Sequence, residues 1–379
     1  MNILLGVTGS VAATLTKKMV TALQSLGTVE VVSTRWGNYF TDYPGVKMWH
    51  DEDEWHIRDG CGNITRNKVW EKKNDPVRHI DLRKWAGALV IAPLSANTMA
   101  KMANGICDNL LTSIYRAWDR TRPVIVAPGM NTLMWEHPIT LQHVLTLKDW
   151  DVQFVGPVSK MLACNDEGMG AMAQIDDIAK ALKDTLRWQF PLIDCSGIPI
   201  GTHPGAFGTK RRLSHHTGID LYCEEGAVVK AVEGGRILGW EKFTGPQDKS
   251  PWWLNTDCVL VEGASGIVCY GEIRVAQSIK DAMEMNNPEA RCVRRGDIVG
   301  WVMPVVPKGR ERHDIPGHSR SMLHIELYER GQTKASERWE LDKLKPSYML
   351  DPTPWLLDTN GCPEERLDMP SWPELMKRC

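Results

Sequence analysis

Three groups of residues in this chain have the types and spacing to do chemistry. Two are short loops of small and hydroxyl-bearing residues, Thr8-Gly9-Ser10 and Pro93-Leu94-Ser95-Ala96-Asn97-Thr98, each following an apolar run and opening a stretch of helical spacing. A loop so placed suits an anion: Gly9 permits the tight turn, Ser10 offers a hydroxyl, and the start of a helix presents unpaired N–H groups. Ser95, Asn97 and Thr98 suit helix capping equally well. Two such cradles on one sheet point to a mononucleotide. The third group is His216 and Asp220, four residues apart, with His324 on a later apolar run. Two imidazoles and a carboxylate make a three-ligand zinc site with an open position, although a surface cluster of histidines has the same spacing.

The elements that must carry these groups change rhythm along the chain. Up to about residue 190, the runs 3–7, 29–32, 88–91, 124–126 and 152–155 read as buried strands, rich in β-branched residues and closed by Gly, Pro or polar positions. Stretches 11–26, 98–115 and 175–187 between them have helical length. This alternation predicts an α/β, flavodoxin/Rossmann-like parallel sheet with helices on both faces, whose ligands bind at the carboxyl ends of the strands. After a Gly/Pro-rich approach at 198–208, short strands recur at 227–232, 236–238, 258–261, 267–270, 298–302 and 323–328, predicting a mostly β domain without strong helical period. The expected division is 1–190, 191–335 and an irregular tail, 336–379.

Composition narrows the function classes. At 379 residues the chain exceeds what one core usually supports. A formal net charge of -2 makes no electrostatic case for nucleic acid or an anionic membrane. No apolar run approaches the ~18 residues of a membrane span, and the start of the chain lacks the basic region of a signal peptide. Ten cysteines without a C-x-x-C pair argue for reduced thiols and a cytoplasmic protein. The sixteen tryptophans are dispersed, as core and interface anchors are.

The two cradles lie inside a longer series of motifs: GVTGSVAA at 6–13, Asp51-Glu52-Asp53-Glu54-Trp55, DPVRHIDLRKW at 75–85, APLSANT at 92–98, NGICDNLL at 104–111, MNTLMW at 130–135, and Ala163-Cys164 with Gly168, Gly170 and Met172. In this order, across about half the chain, they resemble the flavin-containing cysteine decarboxylases, most closely the phosphopantothenoylcysteine decarboxylases of coenzyme A synthesis. The resemblance implies FMN held by Gly9, Ser10, Val11, Thr34, Ser95, Ala96, Asn97, Thr98 and Gly129. It implies that His79 is the active-site base, that the Asn131 amide holds the departing carboxylate, that Cys164 returns a proton, and that Ala163 and Met172 belong to a substrate flap. A cysteine carboxylate leaves only once the thiol has been oxidised; the flavin does that, and the protein places groups and moves protons. Histidine suits proton transfer near neutral pH, and Cys164 can donate only while its thiol stays protonated. The chain departs from the family pattern at Gly129 (usually Ala), at Asn165 after Cys164 (usually Gly), and in a longer segment between Trp55 and Asp75.

The stretch around His216 and Asp220, with His324 and Gly296-Asp297-Ile298-Val299-Gly300, resembles the lysostaphin-type zinc endopeptidases over about 198–329. That resemblance implies His216, Asp220 and His324 as zinc ligands. Two catalytic histidines of the family are replaced: Met322 stands before Leu323-His324, and Glu272 follows Tyr270-Gly271. A thioether cannot accept a proton at neutral pH, so a zinc-binding or metal-free pseudo-enzyme is expected; neither Glu272 acting as a base nor His313 or His318 folding inward is supported by spacing. The combined expectation is an FMN-dependent decarboxylase of 4'-phosphopantothenoyl-cysteine, working as a homo-oligomer (a trimer or a multiple of it) with sites between subunits, fused to an inactive peptidase-like domain. Three alternatives stand beside it: a decarboxylase of C-terminal peptidyl cysteine, a non-catalytic flavoprotein regulator, and an active zinc endopeptidase.

Overall fold

The apolar run at the N-terminus forms strand β1 (Asn2–Val7), and it lies inside a six-stranded parallel sheet. A 3-10 turn, Val11–Leu15, and helix α1 (Thr16–Gln24) lead from it to β2 (Thr28–Ser33), α2 (Arg35–Phe40) and β3 (Met48–Trp49). Helix α3 (Arg78–Trp85) precedes β4 (Ala88–Leu94), then α4 (Ala96–Ala103), α5 (Leu110–Arg116) and β5 (Val124–Pro128). The short α6 (Thr132–Trp135) and α7 (Pro138–Asp149) lead to β6 (Val152–Phe154), and α8 (Ile175–Leu186) closes the unit. The strand order is β3-β2-β1-β4-β5-β6, every pair parallel. Every residue of β4 is buried, which requires cover on both faces and explains its unbroken apolar run.

The computed structural model describes residues 1–42, 44–55, 57–58, 64–66, 73, 75–161, 167–211, 214–246, 253–285, 288–310, 319–335, 339–359 and 361–367. The chain separates into two compact units, Met1–Leu186 and Arg187–Cys379. The expected doubly wound sheet followed by a mostly β part is what the two units contain. Among the described residues, no helix is long and apolar enough to cross a membrane.

The second unit is built on a nine-stranded sheet. Its central path runs from β7 (Ile219–Tyr222) through β8 (Met322–Tyr328), β9 (Ile267–Val275) and β10 (Thr256–Gly263) to β11 (Gly235–Thr244), all antiparallel. Met349–Leu350 extends this sheet beside β8, and Ile198–Pro199 pairs with Arg366–Leu367. The core gathers the inward residues of these strands, among them Ile219, Leu221, Val259, Tyr270, Leu323 and Ile325.

Two local expectations change. The stretch 98–115 is not one helix: α4 ends at Ala103 with Asn104 as its cap, Gly105 turns with φ +70°, and Asn109 caps the start of α5 in a reciprocal box with Thr112. The β unit also holds a helix, Gln277–Glu284, whose buried face is only Ile279 and Ala282. Two buried residues are too weak a period to read from sequence.

One buried acid in this unit makes stability depend on pH. Glu233 accepts hydrogen bonds from the Ser265 backbone N–H (3.1 Å) and hydroxyl (2.5 Å), yet burial pushes its pKa from 4.5 up to about 7. The folded chain therefore holds this proton more tightly than the unfolded chain. The contribution of this group to stability is complete below about pH 4.5 and is lost as pH rises through about 7, by on the order of 3 kcal/mol. Glu233→Gln should flatten the change in thermal midpoint between pH 4.5 and 8. An unaltered pH profile in the variant would assign the dependence elsewhere.

Candidate functional site

The strand order reverses between β1 and β4, and ligands of open parallel sheets bind at such a point. The two loops leaving these strands are tied together by a buried residue. The Thr8 hydroxyl donates to the Pro93 carbonyl (2.8 Å) and accepts from the Ser95 N–H (2.7 Å). A cleft of about 630 Å³ opens above them, lined by Gly9, Ser10, Thr34, Ser95, Ala96, Asn97, Thr98 and Gly129 among others. Eight of the nine residues expected to hold a mononucleotide thus share one cavity. The ninth, Val11, follows the loop on the 3-10 turn and is exposed.

The loops commit different groups. Ser95 and Thr34 cap their own helices, accepting from Thr98 N–H (3.3 Å) and Gly37 N–H (3.2 Å). Ser10 makes no cap bond with its side chain. A methyl group on Gly129 would lie 3.3 Å from both the Ser10 hydroxyl and Pro93, so the glycine widens this wall. A methyl on Gly9 would fall 2.7 Å from Trp36 Cβ, so the loop depends on a bare backbone there. Space, two loop backbones at helix starts and an uncapped hydroxyl fit a phosphate-bearing planar cofactor.

Asp51 also lines the cleft and accepts from the Leu110 N–H at 3.1 Å, its carboxyl raised above the ordinary range by burial. It opens the turn Asp51–Glu54, whose last residue reaches His79. Glu54 takes the His79 backbone N–H on Oε2 (3.0 Å), and its Oε1 lies 2.5 Å from His79 Nδ1. His79 is the second residue of α3 and does not itself line the cleft. Glu54 was not singled out from sequence; the acidic run 51–54 was the available signal.

Asn131 caps α6, its Oδ1 accepting from the Leu133 N–H at 2.9 Å. The segments Val158–Met161 and Glu167–Ala171 form an antiparallel ribbon against this turn: the Met130 N–H donates to the Gly170 carbonyl (2.9 Å), and a methyl on Gly170 would meet the Met130 carbonyl at 2.4 Å. Met172, buried just beyond the ribbon, lies beside Gly129. Ala163 and Cys164 lie outside the described residues.

The second constellation is buried in the β unit. His216 Nε2, Asp220 Oδ1 and His324 Nδ1 are separated by 3.1, 2.7 and 3.2 Å. These lengths approach the about 3.3 Å edge of a tetrahedron with ~2.0 Å metal bonds. The outer partners orient the set. His216 Nδ1–H donates to the Ala206 carbonyl (3.0 Å), and Arg211 holds the other oxygen of Asp220 (2.5 Å). Glu326, with no exposed surface, faces His324 Nε2 at 3.2 Å and accepts from the Thr217 and Tyr328 hydroxyls. Carboxylate–histidine pairs of this kind fix the imidazole of a metal site.

The electrostatics separate the two histidines. Burial, reinforced by Arg211, lowers His216 to about 4, leaving a neutral ring with a lone pair. Burial opposes charge on His324 as well, but the hydrogen bonds to Asp220 and Glu326 outweigh it and raise the ring to about 10. Met322 lies on the same strand as His324, two residues away.

Comparison with known proteins concerns the first unit. The family described as Flavoprotein matches residues 1–187. Phosphopantothenoylcysteine decarboxylase of Mus musculus is 43% identical over 190 residues, 49% of this chain and 87% of that protein. The protein of the same name in Arabidopsis thaliana is 46% identical over 177 residues, 46% of this chain and 79% of that protein. Among solved structures, the FMN binding protein AtHal3 aligns with 49% of this chain and 96% of its own at 43% identity, with a TM-score of 0.43. Through its first 187 residues, the chain belongs to the flavoprotein family that includes the phosphopantothenoylcysteine decarboxylases.

Proposed function

We propose that the first unit is an FMN-dependent decarboxylase of 4'-phosphopantothenoyl-cysteine, giving 4'-phosphopantetheine. The observation that carries this reading is the shared cleft of Gly9, Ser10, Thr34, Ser95–Thr98 and Gly129, in a chain 43% identical to a decarboxylase of that name. Bound FMN would supply the two-electron oxidation that makes a cysteine carboxylate able to leave. Everything else falls to side chains.

The Gly9 and Ser95 loops would hold the cofactor phosphate and its ribityl chain by backbone N–H groups and hydroxyls. The Asn131 turn would bind the substrate carboxylate. Nδ1–H of His79 donates to Glu54, which leaves Nε2 as the proton acceptor. Cys164 is proposed as the returning proton donor, and Ala163 and Met172 as parts of the substrate flap. Exposed Trp36 and Met134 line the cleft and support a homo-oligomer, a trimer or a multiple of it, with sites completed between subunits.

For the second unit the proposal is a zinc-binding, peptidase-like β domain that does not hydrolyse peptides. Its support is the near-tetrahedral spacing of His216, Asp220 and His324 beside a methionine where a proton acceptor would stand. A cytoplasmic location completes the reading.

The test is anaerobic incubation of the purified yellow protein with phosphopantothenoyl-cysteine and, separately, with a cysteine-ending peptide, following carbon dioxide and product thiol by mass spectrometry. Turnover of the first substrate is expected. Turnover of the peptide alone would move the assignment to peptide maturation, and bound flavin with neither reaction would mark a regulator.

A further inference from the structure

A second cavity, of about 340 Å³, lies in the first unit, and nothing in the flavin chemistry uses it. Val124 and Val152, the first residues of β5 and β6, line it. It therefore opens at the amino ends of these strands, whereas the cleft lies at the carboxyl ends. Along β5, the run from Val124 to Gly129 separates the two by about 17 Å at ~3.3 Å a residue. No residue lines both.

The walls are aromatic and cationic. Tyr115, Trp118 and Trp150 supply rings, Arg116, Arg120 and Arg122 supply guanidiniums, and Asp151 is the one carboxylate among the lining residues. The cations are not equivalent. Arg122 is committed to the fold, its Nη1 donating to the carbonyls of Arg83 (2.7 Å) and Ala86 (2.9 Å). Among the described residues, the side chains of Arg116 and Arg120 have neither a hydrogen-bond acceptor nor a paired carboxylate. The frame around them is fixed. Trp118 Nε1–H donates to the Arg122 carbonyl (3.2 Å), and Asp119 accepts from the Thr121 N–H (3.1 Å) and hydroxyl (2.8 Å) in the turn between α5 and β5. Burial pushes Tyr115 up to about 12 against the nearby charge of Arg120, so its hydroxyl stays a donor.

We propose that this cavity is a second ligand site, separate from the flavin cleft, for a nucleoside phosphate. A base offers flat faces that stack on indole and phenol rings. Phosphate oxygens match the planar fork of a guanidinium, and Arg116 and Arg120 are the two left free to meet them. Met102, Val124 and Val152 give the cavity an apolar lining, and its volume lies within the range of small-molecule sites. Inorganic phosphate would leave the rings unused, and an uncharged aromatic would leave the guanidiniums unmatched. The proposal is independent of which cysteine compound the first unit decarboxylates.

The test uses the full chain, purified with its flavin, and ADP as the probe in isothermal titration. Saturable binding near one ADP per chain is expected, with the flavin spectrum unchanged and no FMN released. Adenosine and pyrophosphate, each carrying half of the ligand, should bind at least about tenfold more weakly than ADP. The double variant Arg116→Ala/Arg120→Ala should also lose at least about tenfold, the usual worth of one hydrogen bond to a charged group, while keeping its flavin. Both arginines are exposed, so the variant should fold as the unaltered chain does. A yellow protein that does not bind ADP would overturn the site, as would ADP binding that displaces FMN or is unaltered in the double variant. Pyrophosphate binding as tight as that of ADP would overturn the nucleoside part of the assignment.

Discussion

Replacing His79 by asparagine should lower kcat for decarboxylation by roughly 10²–10⁴-fold, the usual worth of a positioned acid–base group, while the protein stays yellow. The flavin should remain because His79 stands outside the cleft lining, on α3. Glu54→Gln should fall between the two. Glu54 accepts from the His79 backbone on one oxygen and faces Nδ1 with the other. An amide has one oxygen and one NH2, so it can satisfy only one of these in the same geometry. Either the backbone N–H loses its partner, or the ring accepts at Nδ1 and Nε2 carries the proton. The second outcome removes the base at Nε2, and kcat should drop more than KM rises. Equal activity of Glu54→Gln and the unaltered enzyme would mean that the ring is oriented by other contacts. Full activity in His79→Asn would remove the histidine from the mechanism.

Removing Glu326 should be the most destabilising single change in the second unit. Its carboxylate is held to about 2 because the hydrogen bonds from His324, Thr217 and Tyr328 outweigh the burial that opposes its charge. Glu326→Ala would leave the Tyr328 and Thr217 hydroxyls and the His324 ring without their acceptor in a fully buried place. Breaking a buried charged pair from one side costs about 3–5 kcal/mol, against ~1–3 kcal/mol for orphaning a neutral buried group. Glu326→Gln keeps the shape and one acceptor and should be milder. Denaturant titration of both variants would measure this as a shift in midpoint at constant slope. A loss below ~1 kcal/mol in the alanine variant would mean that water enters and replaces the carboxylate. Because Glu326 also orients His324, the variant should release zinc faster.

What the sequence by itself determined is the local part of this protein. The strands 3–7 and 88–91, the loops at Gly9 and Ser95, and the capping role of Ser95 follow from residues adjacent in the chain, and the structure places them as read. The doubly wound sheet follows too, because alternating apolar runs and helical stretches have few other ways to bury both faces of the strands. The motif order was enough to identify the family.

What only the tertiary structure decided depends on partners distant in sequence. The break at Gly105 arises because two helices, not one, pack in that stretch, and the helix Gln277–Glu284 buries too few residues to announce itself. Glu54 meets His79 across 25 positions, and Arg211, Asp220, His324 and Glu326 become one network only when β7 pairs with β8. Burial completes the difference. The same imidazole is pushed down at His216 and up at His324 because the surrounding carboxylates and the guanidinium differ, and no local pattern encodes those neighbours. The bulge at Gly271-Glu272 is of the same kind: it falls where β9 leaves one neighbouring strand for another, a pairing set by the sheet as a whole.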